Sequence, residues 1–398
     1  MIERDITPTI RRLTENFPIL AITGPRQSGK TTLARKLFPH HAYVSLEDPD
    51  TREFAQEDPR GFLTSVVGGA VLDEVQRVPN LFAYLQRMVD EDPTPGRFVL
   101  TGSQQFGLQA GITQSLAGRV ALVTLLPFGL AELRRGDWVP ETLDNMLAAG
   151  SYPPVYDRGM EPATWYANYV QTYLERDVRQ LINVRDLSQF QRFLRLCAGR
   201  TAQLVNLSAL GSDAGISHNT AREWLSVLEA SYVVHRLPPF HRNFNKRLVK
   251  TPKLHFVDVG LAAWLLGIED ATQLTTHPLR GALFETWVVS EFMKERSNAG
   301  RPPSLSFWRD RGGHEVDLLQ ESRGNVLAVE VKAGATVAAD ALRGLKRWQV
   351  LAGDDSGKAM LVYGGAGGET SRRSGVSLVP WAALAAHDQA DPPTQPSP

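Results

Sequence analysis

Short apolar runs alternate with amphipathic runs along the first third of the chain. Apolar stretches occupy residues 17–23, 42–46, 70–72, 98–101 and 120–126, and runs with helical spacing occupy residues 30–38 and 81–89. Such alternation is typical of parallel strands joined by crossover helices. The sequence therefore predicts an α/β fold that begins with a parallel sheet.

The middle of the chain follows a different pattern. Residues 204–237 read as a helix, a turn at Gly215, a second helix from Ser217 and a strand. In the second helix Ala221, Trp224, Leu225 and Leu228 recur at spacings of three and four, so they are expected to face the core. His218, Asn219 and Arg222 are then left on the outer face. A basic segment at residues 241–250 follows, containing Arg242, Lys246 and Arg247 and no acid.

This order of elements predicts a winged helix, in which the second helix enters the major groove of DNA and the wing contacts phosphates. The predicted DNA contacts are His218, Asn219, Arg222, Arg242, Lys246 and Arg247. Winged helices also dock proteins or act as lids, so a protein-binding role is equally open.

Near the C-terminal end, residues 314–319 and 326–332 read as two strands of a hairpin. Because side chains alternate along a strand, Glu330 and Lys332 share one face, and Asp317 is expected across from them. An acid followed by Glu-x-Lys on the next strand, after a helix at residues 281–296 that carries Glu285, resembles the restriction-endonuclease-like fold.

In that pattern Asp317 and Glu330 bind magnesium, Lys332 activates a water, Glu285 assists, and Glu315 is a further candidate ligand. Two other interpretations stay open. The strands form an ordinary hairpin with solvated charges, or the nuclease fold persists without cleavage.

The charge distribution supports a partner for the middle segment. The whole chain has 43 Lys and Arg against 43 Asp and Glu. Residues 41–95 hold eleven acids and four bases, whereas residues 176–253 hold thirteen bases and five acids. Any nucleic-acid surface is therefore expected in the middle of the chain.

A phosphate-binding loop follows the first strand. Residues 24–31 fit the P-loop pattern, with an apolar strand before them and a helical run after them. The predicted binding residues are Gly24, Pro25, Arg26, Gln27, Ser28, Gly29, Lys30, Thr31 and Thr32. Lys30 is expected to neutralise the β- and γ-phosphates of a nucleotide, and the Thr31 hydroxyl to complete a magnesium shell.

Polar residues end two other strands of this region, and Arg119 comes just before a further apolar strand. Asp73 is predicted to hold the metal through water, and Glu74 to orient or deprotonate the attacking water. Ser103 is the first candidate for contact with the γ-phosphate or the water, and Thr101 the second. Arg119 is a candidate transition-state cation for its own site or a neighbouring subunit, although a surface arginine is the alternative.

These motifs make the chain similar to a family of bacterial and archaeal AAA-type ATPases with a C-terminal region of unknown function. The resemblance rests on residues 24–31, 71–76, 100–103, 115–119, 126–128, 173–178, 215–217, 251–253 and 258–261. It implies ATP binding, and AAA-type proteins often complete their sites across subunits, so a homo-oligomer is expected. Arg158 and Arg176 are candidates for a lid-side arginine.

The predicted division is a P-loop core at 1–135, a helical lid at 136–186, a winged helix at 187–267, a nuclease-like domain at 268–386 and a disordered tail at 387–398. The longest mostly apolar stretch, residues 120–131, is too short to span a membrane. No signal core follows the N-terminus, and Cys197 is the only cysteine, so a reducing cytoplasm is expected.

Two hypotheses follow for the whole chain. In the first, an ATPase acts on DNA and controls the winged helix and a nuclease-like domain. In the second, an ATP-dependent switch remodels or tethers a protein partner, and both later domains only dock.

Overall fold

The computed structural model describes residues 2–66, 68–102, 115–174, 187–240, 250–310, 312–322, 324–367 and 370–384, without the side chains of residues 173, 174, 354 and 355. Ser103, Arg176, Arg242, Lys246, Arg247 and the tail at 387–398 lie outside these residues. The chain groups into two compact units. Unit 1 contains Met1–Phe128, Ala230–Val233 and Lys294–Pro302, and unit 2 contains Gly129–Glu229, Val234–Met293 and Pro303–Pro398.

Unit 1 is built on a five-stranded parallel sheet. Its strands are β1 (Ile19–Thr23), β2 (Ala42–Ser45), β3 (Ala70–Asp73), β4 (Phe98–Thr101) and β5 (Val120–Thr124), in the order β2-β3-β4-β1-β5. Its helices are α1 (Thr7–Thr14), α2 (Lys30–Leu37), α3 (Pro49–Glu57), α4 (Pro59–Ser65) and α5 (Leu81–Glu91). The predicted α/β fold with a parallel sheet is confirmed.

Apolar side chains cover both faces of this sheet. One cluster includes Phe62, Phe82 and Leu100, and a second includes Ile10, Ile22 and Val99. A strand buried on both faces is apolar along its whole length, which is why β1, β3 and β4 read as continuous runs. Because the strands are parallel, their C-terminal ends gather at one edge of the sheet, where such folds bind ligands.

Two later segments of the chain belong to unit 1. The hydroxyl of Tyr232 donates a hydrogen bond of 2.9 Å to the Thr23 hydroxyl at the end of β1. The Ser297 hydroxyl donates to the Thr124 carbonyl at 2.6 Å, and the Thr9 hydroxyl to the Asn298 carbonyl at 2.7 Å. Unit 1 is therefore completed by residues far along the sequence.

Unit 2 starts with short helices and a small sheet. The helices are α6 (Leu130–Arg135), α7 (Leu143–Ala149), α8 (Pro153–Asp157), α9 (Pro162–Tyr169), α10 (Leu187–Ala198), α11 (Leu207–Ala214), α12 (His218–Ala230), whose last residue lies in unit 1, and α13 (Val259–Leu265). The strands β6 (Gln203–Leu204), β7 (Val234–Leu237) and β8 (Lys253–Phe256) form an antiparallel sheet with β8 in the centre. Cys197 is buried on α10, and burial raises the pKa of its thiol, as expected for a packed side chain.

A mixed six-stranded sheet completes unit 2. It follows α14 (Arg280–Asn298), whose last residues lie in unit 1, and its order is β13-β14-β12-β11-β10-β9. The strands are β9 (Leu305–Arg309), β10 (Glu315–Ser322), β11 (Asn325–Lys332), β12 (Lys358–Tyr363), β13 (Ser371–Arg373) and β14 (Val376–Pro380), and α15 (Arg343–Ala352) packs against it. Strands β10 and β11 pair antiparallel, which confirms the predicted hairpin.

The motif at residues 258–261 has a structural explanation. The Asp258 carboxylate caps α13 through Leu261 N at 2.9 Å, and it also accepts hydrogen bonds from Ser151 N at 2.7 Å and the Tyr166 hydroxyl at 2.5 Å. A β-carbon on Gly150 would lie 2.1 Å from the Tyr166 oxygen and 2.9 Å from Gly260 Cα. Both glycines are thus required by close packing.

Helix α14 is the longest helix among the described residues, and none of their helices has the length and apolar character needed to cross a membrane.

We expect Gly150→Ala to destabilise the protein by about 3 kcal/mol or more, because the new methyl group collides with Tyr166 and the backbone has a positive φ of 67°. Gly159→Ala is the matched control, since φ is 60° there and no heavy atom lies within 4 Å of the added carbon, so only about 1 kcal/mol is expected. Urea unfolding followed by circular dichroism measures both. Equal losses in the two variants would contradict the close-packing explanation.

Candidate functional site

The loop between β1 and α2 has the backbone of an anion-binding loop. Gly24 has a φ of 135°, and a β-carbon there would lie 2.2 Å from the Leu125 carbonyl oxygen. Gly29 has a φ of 96° and immediately precedes α2, so the N-terminus of that helix opens onto the loop. Backbone N–H groups and a helix N-terminus together favour a phosphate at this place.

Lys30 and Ser28 are buried inside this loop. The Lys30 ammonium donates to the carbonyls of Gly24 at 3.0 Å and Pro25 at 2.7 Å. The Ser28 hydroxyl is fully buried and has no hydrogen-bond partner among the described residues. A buried hydroxyl without a partner is costly, and a bound polar ligand would supply the missing hydrogen bond.

Asp73 gathers hydroxyl groups from three neighbouring elements. Thr31 on α2 donates to its two oxygens at 3.2 and 3.0 Å, Tyr43 on β2 donates at 2.8 Å, and Thr101 at the end of β4 also donates. Burial and the bond to Asp73 raise the pKa of the Tyr43 phenol to about 12. The sequence predicted that Thr31 and Asp73 serve the same metal, and the structure places them in contact. It gave no signal for the contact of Tyr43 with Asp73, because Tyr43 belongs to no motif.

Glu74 follows Asp73 in a left-handed backbone conformation. Its φ is 56°, and its half-buried carboxylate accepts a hydrogen bond from the Gln76 side chain. A non-glycine residue in this conformation is uncommon, and such residues cluster at functional sites. The turn separates the Glu74 side chain from that of Asp73, which gives the two acids different environments.

Arg4 donates a hydrogen bond to the backbone of the phosphate loop, a role that the sequence did not reveal. Its guanidinium is buried and donates to the Ser28 carbonyl at 2.9 Å and the Leu126 carbonyl at 2.7 Å. It also lies 4.8 Å from the centre of the Phe128 ring. An arginine just before α1 was the available signal, but nothing in its local sequence names its partners.

Arg119 lies at the other edge of the parallel sheet. Its carbonyl accepts a hydrogen bond from Ile19 N, at the start of β1, and its guanidinium pairs with Asp90 on α5 at 2.9 Å. Strand β1 is five residues long, so its two ends lie on the order of 13 Å apart. The predicted role of Arg119 at its own phosphate loop is not what this geometry provides, and a role at a neighbouring subunit stays a prediction.

The outer face of α12 carries the described part of the predicted DNA surface. His218, Asn219 and Arg222 are exposed, whereas Ala221, Trp224, Leu225 and Leu228 are buried as their spacing predicted. The Ser217 hydroxyl accepts from Thr220 N at 3.1 Å, the bond of a helix N-cap.

The charged residues predicted near the C-terminus meet in unit 2. Leu318 pairs with Val329 across the β10–β11 ladder, so Asp317 and Glu330 face the same side. The Lys332 ammonium lies 2.6 Å from Glu330 Oε1, and Asp317 Oδ2 accepts from Val331 N at 2.8 Å. A cleft of about 740 Å³ is lined by Glu315, Asp317, Glu330 and Lys332.

A lysine that the sequence did not single out as a site residue lies among these acids. One oxygen of each of Glu285, Glu315 and Asp317 lies within 4.8 Å of the other two, and we call these three residues the carboxylate cluster. The Lys253 ammonium lies 2.7 Å from Glu285, also pairs with Glu315, and is 3.9 Å from Asp317. The signal available in the sequence was a lysine at the start of β8, followed there by Leu254, His255 and Phe256.

Burial dominates the electrostatics of this cluster. Burial and the Asp317 charge raise the pKa values of Glu285 and Glu330, whereas the paired ammonium groups of Lys253 and Lys332 lower them. Burial alone would lower the pKa of Lys253, but the charges of Glu285, Asp317 and Glu315 raise it above its ordinary value. Lys253 is therefore a firmly charged ammonium group.

Comparison with known proteins divides the chain into three matched regions. A family model described as an AAA domain matches residues 16–134. Models of two domains of unknown function, DUF8612 and DUF4143, match residues 140–272 and 280–384.

Full-length relatives match across these regions. The chain is 32% identical over 338 residues to the uncharacterized proteins Mb2031c of Mycobacterium bovis and Rv2008c of Mycobacterium tuberculosis, an alignment that covers 84% of this chain and 74% of each relative. The solved structure of the Walker-type ATPase PABY2304 of Pyrococcus abyssi is 16% identical with a TM-score of 0.48, and the match covers 67% of this chain and 96% of that one.

We expect Arg4→Met to weaken the binding of a fluorescent ATP analogue about tenfold, because the phosphate loop loses the hydrogen bond to its Ser28 carbonyl and the link that Arg4 makes from there to the Leu126 carbonyl. Arg11→Met is the matched control, since Arg11 is an exposed arginine in the last turn of α1. Fluorescence titration at a temperature where both variants are folded measures the difference. Unchanged affinity in Arg4→Met would show that the loop keeps its shape without this guanidinium.

Proposed function

The chain belongs to the family of the mycobacterial proteins Mb2031c and Rv2008c, and from this premise we propose that it hydrolyses ATP at the loop of residues 24–31 and acts on DNA. The observation that carries the ATPase proposal is the meeting of Thr31 and Asp73, 3.0 Å apart, beside a glycine-rich loop with a buried lysine.

The residues present fit ATP with magnesium. The Thr31 hydroxyl and the Asp73 carboxylate supply the oxygen groups that magnesium prefers, directly or through water, and the buried Ser28 hydroxyl has no partner in the part of the chain that the structure describes. Magnesium, when bound, neutralises negative charge on the phosphates. Lys30 supplies a second positive charge, and the loop N–H groups orient the phosphates.

Glu74 is the proposed residue that orients or deprotonates the attacking water. It follows β3 at the sheet edge where the phosphate loop lies, and its backbone turn directs its side chain differently from that of Asp73. A carboxylate placed so takes a proton from water as the oxygen attacks phosphorus. Thr101, bonded to Asp73, positions that acid, while Ser103 remains a proposed contact of the γ-phosphate.

The proposal that the chain acts on DNA rests on unit 2. Helices α11 and α12 and the antiparallel strands β7 and β8 follow the order of a winged helix, and α12 presents His218, Asn219 and Arg222 outward. A second basic surface supports it. A cleft of about 780 Å³ is lined by Arg192, Arg195 and Arg200 of α10 and the residues after it, and the first two are exposed.

Magnesium-dependent cleavage of DNA is a second candidate function. One observation favours it: Asp317, Glu330 and Lys332 lie in one cleft on the adjacent strands β10 and β11. That restriction-endonuclease-like arrangement requires a cation beside Asp317.

In the alternative, the later segments dock a protein partner, and ATP turnover switches the docking. A homo-oligomer that brings Arg119 to a neighbouring site is compatible with each.

We expect Glu74→Gln to lower the rate of phosphate release from ATP about a hundredfold or more while ATP affinity stays nearly unchanged, because the water loses its proton acceptor. Lys30→Ala should lose ATP binding itself. Glu57→Gln, an exposed acid at the end of α3, is the control and should behave as wild type. A Glu74→Gln variant with full turnover would remove Glu74 from the mechanism.

We expect duplex DNA to stimulate ATP turnover, and the DNA affinity to rise steeply when the salt concentration is halved, because phosphate contacts release counterions. Arg222→Ala should weaken DNA binding, whereas Arg87→Ala, which removes an exposed arginine of α5, should not. Fluorescence anisotropy and phosphate release at two salt concentrations provide the measurement. Turnover that DNA leaves unchanged would favour the protein-partner alternative.

A further inference from the structure

The ammonium of Lys253 lies where a divalent cation would lie in the carboxylate cluster. It contacts Glu285 and Glu315 and is 3.9 Å from Asp317, and these are the three acids whose oxygens come close enough to share one ion. Arg309 adds a second positive charge 3.3 Å from Glu315. All three cluster acids are thus already within ion-pair distance of a cation from the chain.

Lys253 is held in this place by its backbone as well as its side chain. It lies on β8, the central strand of its sheet, and pairs with Leu204 of β6 and Leu237 of β7. Its side chain is only 3% exposed, and its ammonium lies 5.4 Å from the centre of the Phe307 ring. A lysine fixed on both sides does not swing into solvent as a surface lysine does.

Glu330 shows that the cleft nevertheless has an unused acceptor. Glu330 is 6% exposed, and its Oε1 accepts a hydrogen bond from the Lys332 ammonium. Its Oε2 is buried and has no hydrogen-bond partner among the described residues. A carboxylate oxygen without a donor, opposite Asp317 on the same face, is suited to a cation. The cleft therefore contains carboxylate oxygens that could bind a cation, and the ammonium group of Lys332 already pairs with one oxygen of Glu330.

We propose that Lys253 takes the place of a divalent cation in the carboxylate cluster, so that the wild-type chain binds neither Mg²⁺ nor Mn²⁺ there. The cluster is then a closed ion-pair network that ties β8 to α14 and β10. Removing the ammonium opens a cation site whose ligands are the three cluster carboxylates, with Glu330 on the same face of the sheet as Asp317. This inference is independent of ATP hydrolysis, and it makes cleavage by the wild-type chain in the described conformation chemically incomplete.

The test is a titration of the full-length chain with Mn²⁺ in the absence of nucleotide, followed by electron paramagnetic resonance of free Mn²⁺. We expect Lys253→Met to bind one more Mn²⁺ than wild type, with an affinity for this site on the order of a hundredfold or more higher, because a nearby like charge is removed. Adding Asp317→Asn to Lys253→Met should abolish the extra site. Lys346→Met, which removes a lysine of α15 that is exposed, is the control and should bind as wild type.

Two outcomes would overturn the proposal. One is a wild-type Mn²⁺ site that Asp317→Asn or Glu330→Gln alone removes, and the other is a folded Lys253→Met chain without the extra ion. If Lys253→Met does not fold, the comparison of wild type with Asp317→Asn still decides, since identical Mn²⁺ binding is expected. Because nucleotide is absent throughout, a failed ATPase assay leaves this result unaffected.

Discussion

A charge removed from water has to be stabilised by hydrogen bonds or by opposite charges, and in each compact unit one buried charge is stabilised in this way by side chains from several elements. In unit 1 it is the Asp73 carboxylate, which collects hydroxyl groups from α2, β2 and β4. In unit 2 it is the Lys253 ammonium, which collects carboxylates from α14 and β10. An unpaired buried charge is far more costly than a lost apolar contact, so these elements are fixed relative to one another.

The sequence predicted the parts of the fold whose information is local. The P-loop is a run of eight residues, the hairpin of β10 and β11 is set by alternation, and the core face of α12 by helical spacing. The α/β class followed from the alternation of apolar and helical runs in the first third of the chain. Helices α1, α3 and α4 were not predicted, because their short amphipathic patterns are weak and tertiary packing decides such segments.

The rest of the candidate site depends on contacts between residues far apart in the sequence. Lys253 meets Glu285 and Glu315, and Arg4 meets the Leu126 carbonyl, without any spacing rule that relates them. The motif at 258–261 gives the opposite lesson. It is one of the motifs that together carry the family resemblance, yet Asp258 and Gly260 serve a helix cap and a close glycine contact. A motif of this kind can therefore mark packing rather than chemistry.

The return of residues 230–233 and 294–302 to unit 1 has a consequence for synthesis on the ribosome. The ribosome synthesises β1 and β5 well before Tyr232, Ser297 and Asn298. Until these residues emerge, the hydroxyl groups of Thr9 and Thr23 cannot form their hydrogen bonds with Asn298 and Tyr232, and the Thr124 carbonyl lacks its bond from Ser297. At usual elongation rates, on the order of ten residues per second, this delay is roughly 20 s. The nucleotide-binding unit therefore matures late in translation, after most of the chain has left the exit tunnel.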